Sequence, residues 1–387
     1  MSKHQDLLNY IVNHTSDNPE PLDLVSVPPN PPRYYQTNTI LTARDYLEVG
    51  FRRVLFVSPT GSGKTLIARL LATSNEIRDV LGINKKIKQN PDYKVRVVMI
   101  ANAHRLLEQA VNTFEGCDDV ELICVSAFSE ISPELREAGW DITFIDEAHH
   151  EAMGSIQRLL EHIEEKPLFG LTATPDRGDG LMLKFERFVY SISKVEAIKR
   201  KFISMPDINT ILAPNINDKV NIAKSVFRNH VHEMGQTLVY FKTNKECREF
   251  NEFLLDLGYR SIHLDDEKEM EHAIELFEKK EIQFIVNCKM LGQGIDIKGC
   301  TDVFLSRSFN SKAEKEQYIG RSIRIDSESQ VWEFVNPYGS NVLTKNLFSI
   351  YRKERMIYFQ HGEWHCDTLV ENDPDDLYDH DYLENVA

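Results

Sequence analysis

The run Ser58-Pro59-Thr60-Gly61-Ser62-Gly63-Lys64-Thr65 stands between an apolar stretch, Arg53-Val54-Leu55-Phe56-Val57, and a helical pattern beginning Leu66-Ile67-Ala68. A glycine-containing loop between strand and helix, closed by a lysine and a hydroxyl, is a cradle for a polyphosphate. Gly61 and Gly63 let backbone amides turn inward around phosphate oxygens. The helix N-terminus adds partial positive charge. Lys64 is expected to bridge the β- and γ-phosphates of ATP, and the Thr65 hydroxyl to ligate Mg²⁺. Ser58 occupies a position where the usual pattern has Gly or Ala, a minor departure because serine is small. Downstream, Asp141-Ile142-Thr143-Phe144-Ile145 reads as a strand that delivers Asp146 and Glu147 to its C-terminal edge, where ligands bind in open α/β sheets. Asp146 is then the Mg²⁺ partner, directly or through water, and Glu147 orients and deprotonates the attacking water. Phosphoryl transfer asks for little beyond such positioning and charge neutralisation. His149 either hydrogen-bonds across the nucleotide cleft or, with His150, caps a helix start. His149-His150-Glu151 lacks the spacing of a zinc protease helix.

These residues need rigid supports, and the chain has the rhythm to provide them. Candidate strands at Arg53–Val57, Val95–Ile100, Val120–Val125, Asp141–Ile145 and Leu168–Thr172 alternate with helical patterns, as parallel βα units require. A second set follows at Thr237–Phe241, Ser261–Leu264, Gln283–Asn287, Asp302–Ser306 and Val331–Val335. Two successive α/β units with separate cores are the expected architecture. Residues 1–32 hold six of the fifteen prolines and read as an extended linker after a short helix over Gln5–Asn13. Lys199–Asp218, with Pro206 and Pro214, interrupts the rhythm and is the expected hinge. Lys345–Tyr358 has an amphipathic helical pattern, and the acidic end is expected to be disordered. The resulting division is 1–32, 33–205, 206–350 and 351–387.

Composition sets the outer bounds. At 387 residues the chain exceeds one ordinary core, and 42% hydrophobic content describes a soluble globular protein. No apolar run approaches a membrane span and no secretory signal is visible, so a cytoplasmic setting (the host cytoplasm for a viral chain) is expected. The six cysteines are scattered and imply neither a disulfide frame nor a zinc site. The net charge of −15 is unhelpful to a nucleic-acid binder. Residues 366–387 carry eight Asp or Glu and no Lys or Arg, which still leaves the body at −7. Any contact with phosphates must come from a focused basic strip or from backbone amides.

Three further strings follow in order: Leu171-Thr172-Ala173-Thr174-Pro175, Gly292-Gln293-Gly294-Ile295-Asp296, and Gln317-Tyr318-Ile319-Gly320-Arg321-Ser322-Ile323-Arg324. An isolated pair such as Arg321 and Arg324 would read as a solvated basic face. With Gln317 and Gly320 in register, and with the loop and carboxylates upstream, the set resembles the superfamily 2 helicases of the DEAH-box type. The strings Ile145-Asp146-Glu147-Ala148-His149-His150 and Gly170-Leu171-Thr172-Ala173-Thr174-Pro175, with Ala103-His104-Arg105, resemble the branch of compact DNA helicases of repair, restriction and phage recombination.

That resemblance implies two tandem RecA-like domains with mostly parallel sheets and an ATP cleft between them. It implies that Gln36, after Arg33-Tyr34-Tyr35, reads adenine, and that Thr172 and Thr174 couple hydrolysis to domain movement. Arg105 and residues near Ser126 would touch the nucleic-acid backbone, as would the segment Phe241-Lys242-Thr243. Gly294 and Asp296 would contact ribose and strand together. Gln317, Arg321 and Arg324 would face the γ-phosphate, with Arg324 as the finger, a guanidinium being always charged and bidentate. DNA, single-stranded or branched, is the implied track. An RNA helicase or RNA-dependent ATPase, and a non-unwinding duplex translocase, remain open as alternatives.

Overall fold

A computed structural model describes residues 15–129, 132–148, 156, 166–173, 185–212, 218–288, 291, 297–307, 315, 318–320, 329–335 and 351–373. The chain divides into two compact units, Met1–Ser193 and Lys194–Ala387. Unit 1 is built on β1 (Arg53–Val57), β2 (Val95–Ala101), β3 (Val120–Ser126), β4 (Ile142–Asp146), β5 (Leu168–Thr172) and β6 (Arg187–Tyr190). They form one sheet in the order β3-β2-β4-β5-β1-β6, and every pairing is parallel.

The central strands β4 and β5 are buried along their whole length, and β1 is buried beyond its first residue. Helices on both faces of a parallel sheet leave no solvated side, so these strands read as unbroken apolar runs. On one face Phe56, Phe144 and Phe169 form a ring ladder across the sheet, with centroids 5.7 Å and 5.5 Å apart at successive steps. Helices Tyr34–Glu48 and Lys64–Thr73 pack Ile40, Ile67, Leu70 and Leu71 into that layer. Leu55, Val98, Ile145 and Trp140 make the core of the opposite face.

The extended segment 15–32 is strapped onto unit 1 and is not a free linker. The Val25 amide donates to the Thr73 carbonyl at 3.0 Å and the Asn75 amide to Asp23 O at 2.8 Å. Arg69, 3% exposed, spans from Thr113 O at 2.7 Å to Ser26 Oγ at 3.2 Å. Leu22 and Leu24 pack on the core below. The helix expected over Gln5–Asn13 lies outside the described residues.

Unit 2 carries β7 (Asp207–Leu212), β8 (Thr237–Tyr240), β9 (Ser261–Leu264), β10 (Phe284–Asn287), β11 (Asp302–Leu305), β12 (Gln330–Val335), β13 (Lys353–Gln360) and β14 (Glu363–Glu371). The sheet order is β14-β13-β7-β12-β11-β8-β10-β9, parallel except for the β13–β14 hairpin. Phe227, Phe241, Phe250 and Phe304 form an aromatic core, with Phe227 4.8 Å from both Phe250 and Phe304.

Three expectations fail here. Lys199–Asp218, expected as a hinge, contains β7, a strand buried over its first five residues and paired on both sides. Pro206 precedes the strand, so it takes no ladder donor away, and its carbonyl accepts from the Arg352 amide at 2.9 Å. The helix expected over Lys345–Tyr358 is replaced, where the structure describes it, by β13. The acidic segment expected to be disordered contributes β14 as far as Glu371, and residues 374–387 lie outside the described set.

The reason is long-range pairing that local periodicity does not register. Arg352 makes a bidentate contact with Asp207, 2.8 Å to each oxygen. Arg355 reaches Asn209 and Glu233, each at 2.6 Å, and lies 5.5 Å from the Trp332 ring centre. Burial raises the Glu233 carboxyl, but hydrogen bonds from His230 and Arg355 outweigh it and hold the group below its ordinary range. Arg355→Met removes these contacts while keeping the aliphatic stem. It is expected to destabilise the hairpin by about 2 kcal/mol, roughly a 30-fold faster amide exchange in β13 and β14. Unchanged exchange would mean that backbone pairing alone holds the hairpin.

Candidate nucleotide site and its supports

The C-terminal edge of the unit 1 sheet gathers the chemistry. β5 lies between β1 and β4, with Val57 opposite Thr172 and Asp146 opposite Leu171. The ladder runs on one bond past β1, where the Ser58 amide donates to the Thr172 carbonyl at 2.9 Å. Thr172 is fully buried. The phosphate loop is therefore rooted directly on the strand that opens the string Leu171-Thr172-Ala173-Thr174-Pro175, and Thr174 lies outside the described residues.

Gly61 and Gly63 both have φ in the left-handed region, +84° and +88°, which a side chain would strain. Ser58 proves to be more than a small substitute. Its buried hydroxyl meets Ser62 Oγ at 2.6 Å, and the Ser62 hydroxyl also reaches Pro59 O at 2.6 Å. These bonds close the loop across its base. Pro59 and Thr60 are half-buried on the rim, and Lys64 and Thr65 open the helix Lys64–Thr73 at half-buried positions.

Gln36 is 2% exposed and braces the loop from behind. Its Nε2 donates to Ser62 O at 3.2 Å while its Oε1 accepts from the Arg33 amide at 2.9 Å. Tyr35, 1% exposed, donates its hydroxyl proton to the same Ser62 carbonyl. The sequence reading missed this second support. An aromatic hydroxyl beside the predicted glutamine was the available signal.

Asp146 ends β4, 7% exposed. Burial pushes its carboxyl above the ordinary range, and the adjacent Glu147 carboxylate adds to the shift. Lys64 and the Glu147 amide, 2.9 Å from Asp146 Oδ1, pull the other way. Glu147 has φ +50°, a conformation that costs a non-glycine residue about 1–3 kcal/mol and clusters at functional sites. Two neighbouring carboxyls, one of them buried, offer oxygens suited to a divalent cation, with the Lys64 charge acting on Asp146. Among the described residues no cluster of three or more His, Cys, Asp or Glu could hold a metal unaided. A hard cation held by one or two protein oxygens and by phosphate oxygens fits that arrangement.

The remaining predicted residues fall elsewhere. Arg105 sits half-buried in the first turn of the helix His104–Thr113, which follows β2. The Phe241 ring is fully buried against Phe250, 5.0 Å between centroids, so its part is to hold the start of the next helix. Thr243 caps that helix, Asn244–Asp256, in a reciprocal pair with Glu246. His149, Gly294, Asp296, Gln317, Arg321 and Arg324 lie outside the described residues. Lys315, two residues before Gln317 in the chain, makes a buried ion pair with Glu333 of β12. Among the described residues no helix is long and apolar enough to cross a membrane.

A phosphate-type loop and a carboxylate pair on one parallel-sheet edge, followed by a second parallel-sheet unit, make the fold that of two tandem RecA-like units. The comparisons with known proteins agree. Residues 30–126 and 118–177 match the family described as type III restriction enzyme, res subunit, and residues 218–326 match the helicase conserved C-terminal domain. The chain belongs to the superfamily 2 helicases, on their restriction, phage and repair side.

A 51.5 kDa protein of a Lactococcus phage is 24% identical over 295 residues, covering 69% of this chain and 62% of its own length. A Schizosaccharomyces pombe protein named as the mitochondrial ATP-dependent helicase irc3 is 25% identical over 334 residues, covering 76% and 55%. A fragment described as the HsdR subunit of a type I restriction enzyme from Vibrio vulnificus shares the fold. Its TM-score is 0.65 at 20% identity, covering 88% of this chain and 71% of that one. The chain thus spans 62% and 55% of the length of these two curated relatives.

A Cβ on Gly63 would lie 2.8 Å from Gln36 Nε2 and would also carry the strain of positive φ. Gly63→Ala is expected to weaken nucleotide binding at least tenfold, read by titration with a fluorescent ATP analogue, with the circular dichroism spectrum unchanged. Wild-type affinity would show that this loop geometry is not the nucleotide-binding one.

Proposed function

We propose that the chain is an ATP-dependent DNA helicase or translocase in which hydrolysis at the unit 1 sheet edge drives movement on a nucleic-acid strand. The observation that carries this reading is the rooting of the loop Ser58–Thr65 on Thr172, with Asp146 and Glu147 ending the strand on the far side of β5. The loop amides and Lys64 hold the β- and γ-phosphates, and Gln36 sets the loop's back wall while facing the base. Thr65 and Asp146 are the residues to hold Mg²⁺, which when bound neutralises phosphate oxygens. Glu147, held by its left-handed backbone, takes a proton from the attacking water. Thr172 transmits the loop's state along β5 to the segment with Thr174. Arg321 and Arg324, with Gln317, supply positive charge to the γ-phosphate as it leaves, while Gly294 and Asp296 touch ribose and strand.

DNA is preferred over RNA because the unit 1 family and the HsdR fragment are both described as restriction-enzyme parts. Arg105, the pair Lys242 and Thr243 carried on the buried Phe241, and the residues around Ser126 are the proposed contacts with the strand.

Two measurements test the proposal. Glu147→Gln is expected to lower ATP turnover by at least about 100-fold, the scale of a lost general base, with ATP affinity within about twofold of wild type. Substantial residual turnover would remove Glu147 from the catalytic role. For the wild type, stimulation of ATP hydrolysis is expected to be strongest with single-stranded or branched DNA. Preferential stimulation by RNA would make the chain an RNA helicase or RNA-dependent ATPase. Stimulation by intact duplex without strand displacement would make it a non-unwinding translocase.

A further inference from the structure

At the β2–β3 corner of unit 1, the ladder ends with Ala101 opposite Ser126 and is prolonged by one bond from the Ala127 amide to Ala101 O, 2.8 Å. Ala127 is fully buried. The chain then turns tightly, with the Ser129 amide donating to Ser126 O at 2.9 Å and the Phe128 amide to Ser126 Oγ at 3.3 Å. This turn lifts the Phe128 ring out of the fold, 65% exposed. Among the described residues of unit 1, no other aromatic ring stands so far into solvent. Burying a phenylalanine is worth about 1.5–3 kcal/mol, and here a buried residue and a hydroxyl cap hold the ring outside.

Its neighbours give the exposure a chemical sense. β2 leaves the same corner through Asn102 and Ala103 into the helix that begins with His104 and Arg105. The His104 side chain is 85% exposed and bonds Glu108 across one turn at 3.1 Å. A flat apolar ring and a guanidinium thus share the C-terminal edge of the sheet that also holds the phosphate loop. In a chain of net charge −15, binding to a polyanion cannot rely on a broad basic face, and stacking supplies affinity without charge.

We propose that Phe128 is a stacking platform for an unpaired base of single-stranded nucleic acid, with Arg105 on the phosphate of the same strand. This rests on the translocase reading and specifies what that motor grips. A base in a duplex has both faces covered, so the platform selects for unpaired strand. Deoxy- and ribonucleotide bases offer the same face. The platform by itself therefore does not distinguish the sugar.

The test uses the full chain with labelled oligothymidylate, oligouridylate and an abasic strand of equal length. Phe128→Ala is expected to weaken oligothymidylate and oligouridylate binding roughly tenfold and to leave abasic-strand binding unchanged. ATP hydrolysis without nucleic acid stays at the wild-type rate. Phe128→Trp is expected to keep affinity and to show added indole fluorescence that oligothymidylate quenches and the abasic strand does not. Equal loss on base-bearing and abasic strands, or an unquenched indole, overturns the stacking role while leaving the motor reading intact. A wild-type chain that binds no nucleic acid at all overturns both.

Discussion

One backbone bond organises the site: the Ser58 amide on the Thr172 carbonyl, the last rung of the β1–β5 ladder. Because β5 is also the partner of β4, this rung sets the phosphate loop at a fixed offset from Asp146 and Glu147. Parallel strands allow no slippage here. A register shift of one residue would exchange the two buried faces of β1, putting Leu55 into the layer that Phe56 fills beside Phe169. The chemistry of the edge is therefore held in place by the hydrophobic layer beneath it, in particular the ladder of Phe56, Phe169 and Phe144.

Around that rung the loop is braced on two sides by different means. Ser58 and Ser62 close its base through their hydroxyls, while Tyr35 and Gln36 both donate to the Ser62 carbonyl from behind. All four side chains are almost wholly buried, where each polar group must find a partner. The backbone geometry is thus set before any phosphate arrives, and the ordering cost of forming an anion cradle has been met during folding. Glu147 carries the opposite kind of investment, a left-handed backbone directly after the strand, which aims its carboxylate independently of the strand's pleat.

Unit 2 is held together by a different balance. Its sheet is longer, and its outer strands are tied by charge as much as by apolar packing. Arg352 grips Asp207, and Arg355 bridges Asn209, Glu233 and Gln330. Asp302 is buried, its carboxyl raised by that burial, and it survives by accepting from Thr301, the Gly235 amide and the Trp332 indole. Glu333 is likewise raised by burial and answered by Lys315. Such groups are costly to bury and costlier to unpair. They favour this sheet order, in which each of these buried charges meets its partner.

The residue string by itself determined ten of the strands, the phosphate loop at the end of β1 and the carboxylate pair at the end of β4. Each of these is a local pattern: a short apolar run bounded by turn residues, or a set of chemically distinctive residues within one loop. Tertiary structure alone decided that β7 joins a sheet despite its flanking prolines, that β13 is a strand despite a helical periodicity and β14 one despite its acidity, and that segment 15–32 is strapped down. In these cases the deciding partners, Asp207 for Arg352 or Thr73 for Val25, lie far away in the chain. The same distinction explains Phe241 and Phe128. Both are phenylalanines just past a strand end, yet one is sealed beneath Phe250 and the other is turned into water. Burial is a property of what packs above a residue, and no local spacing encodes it.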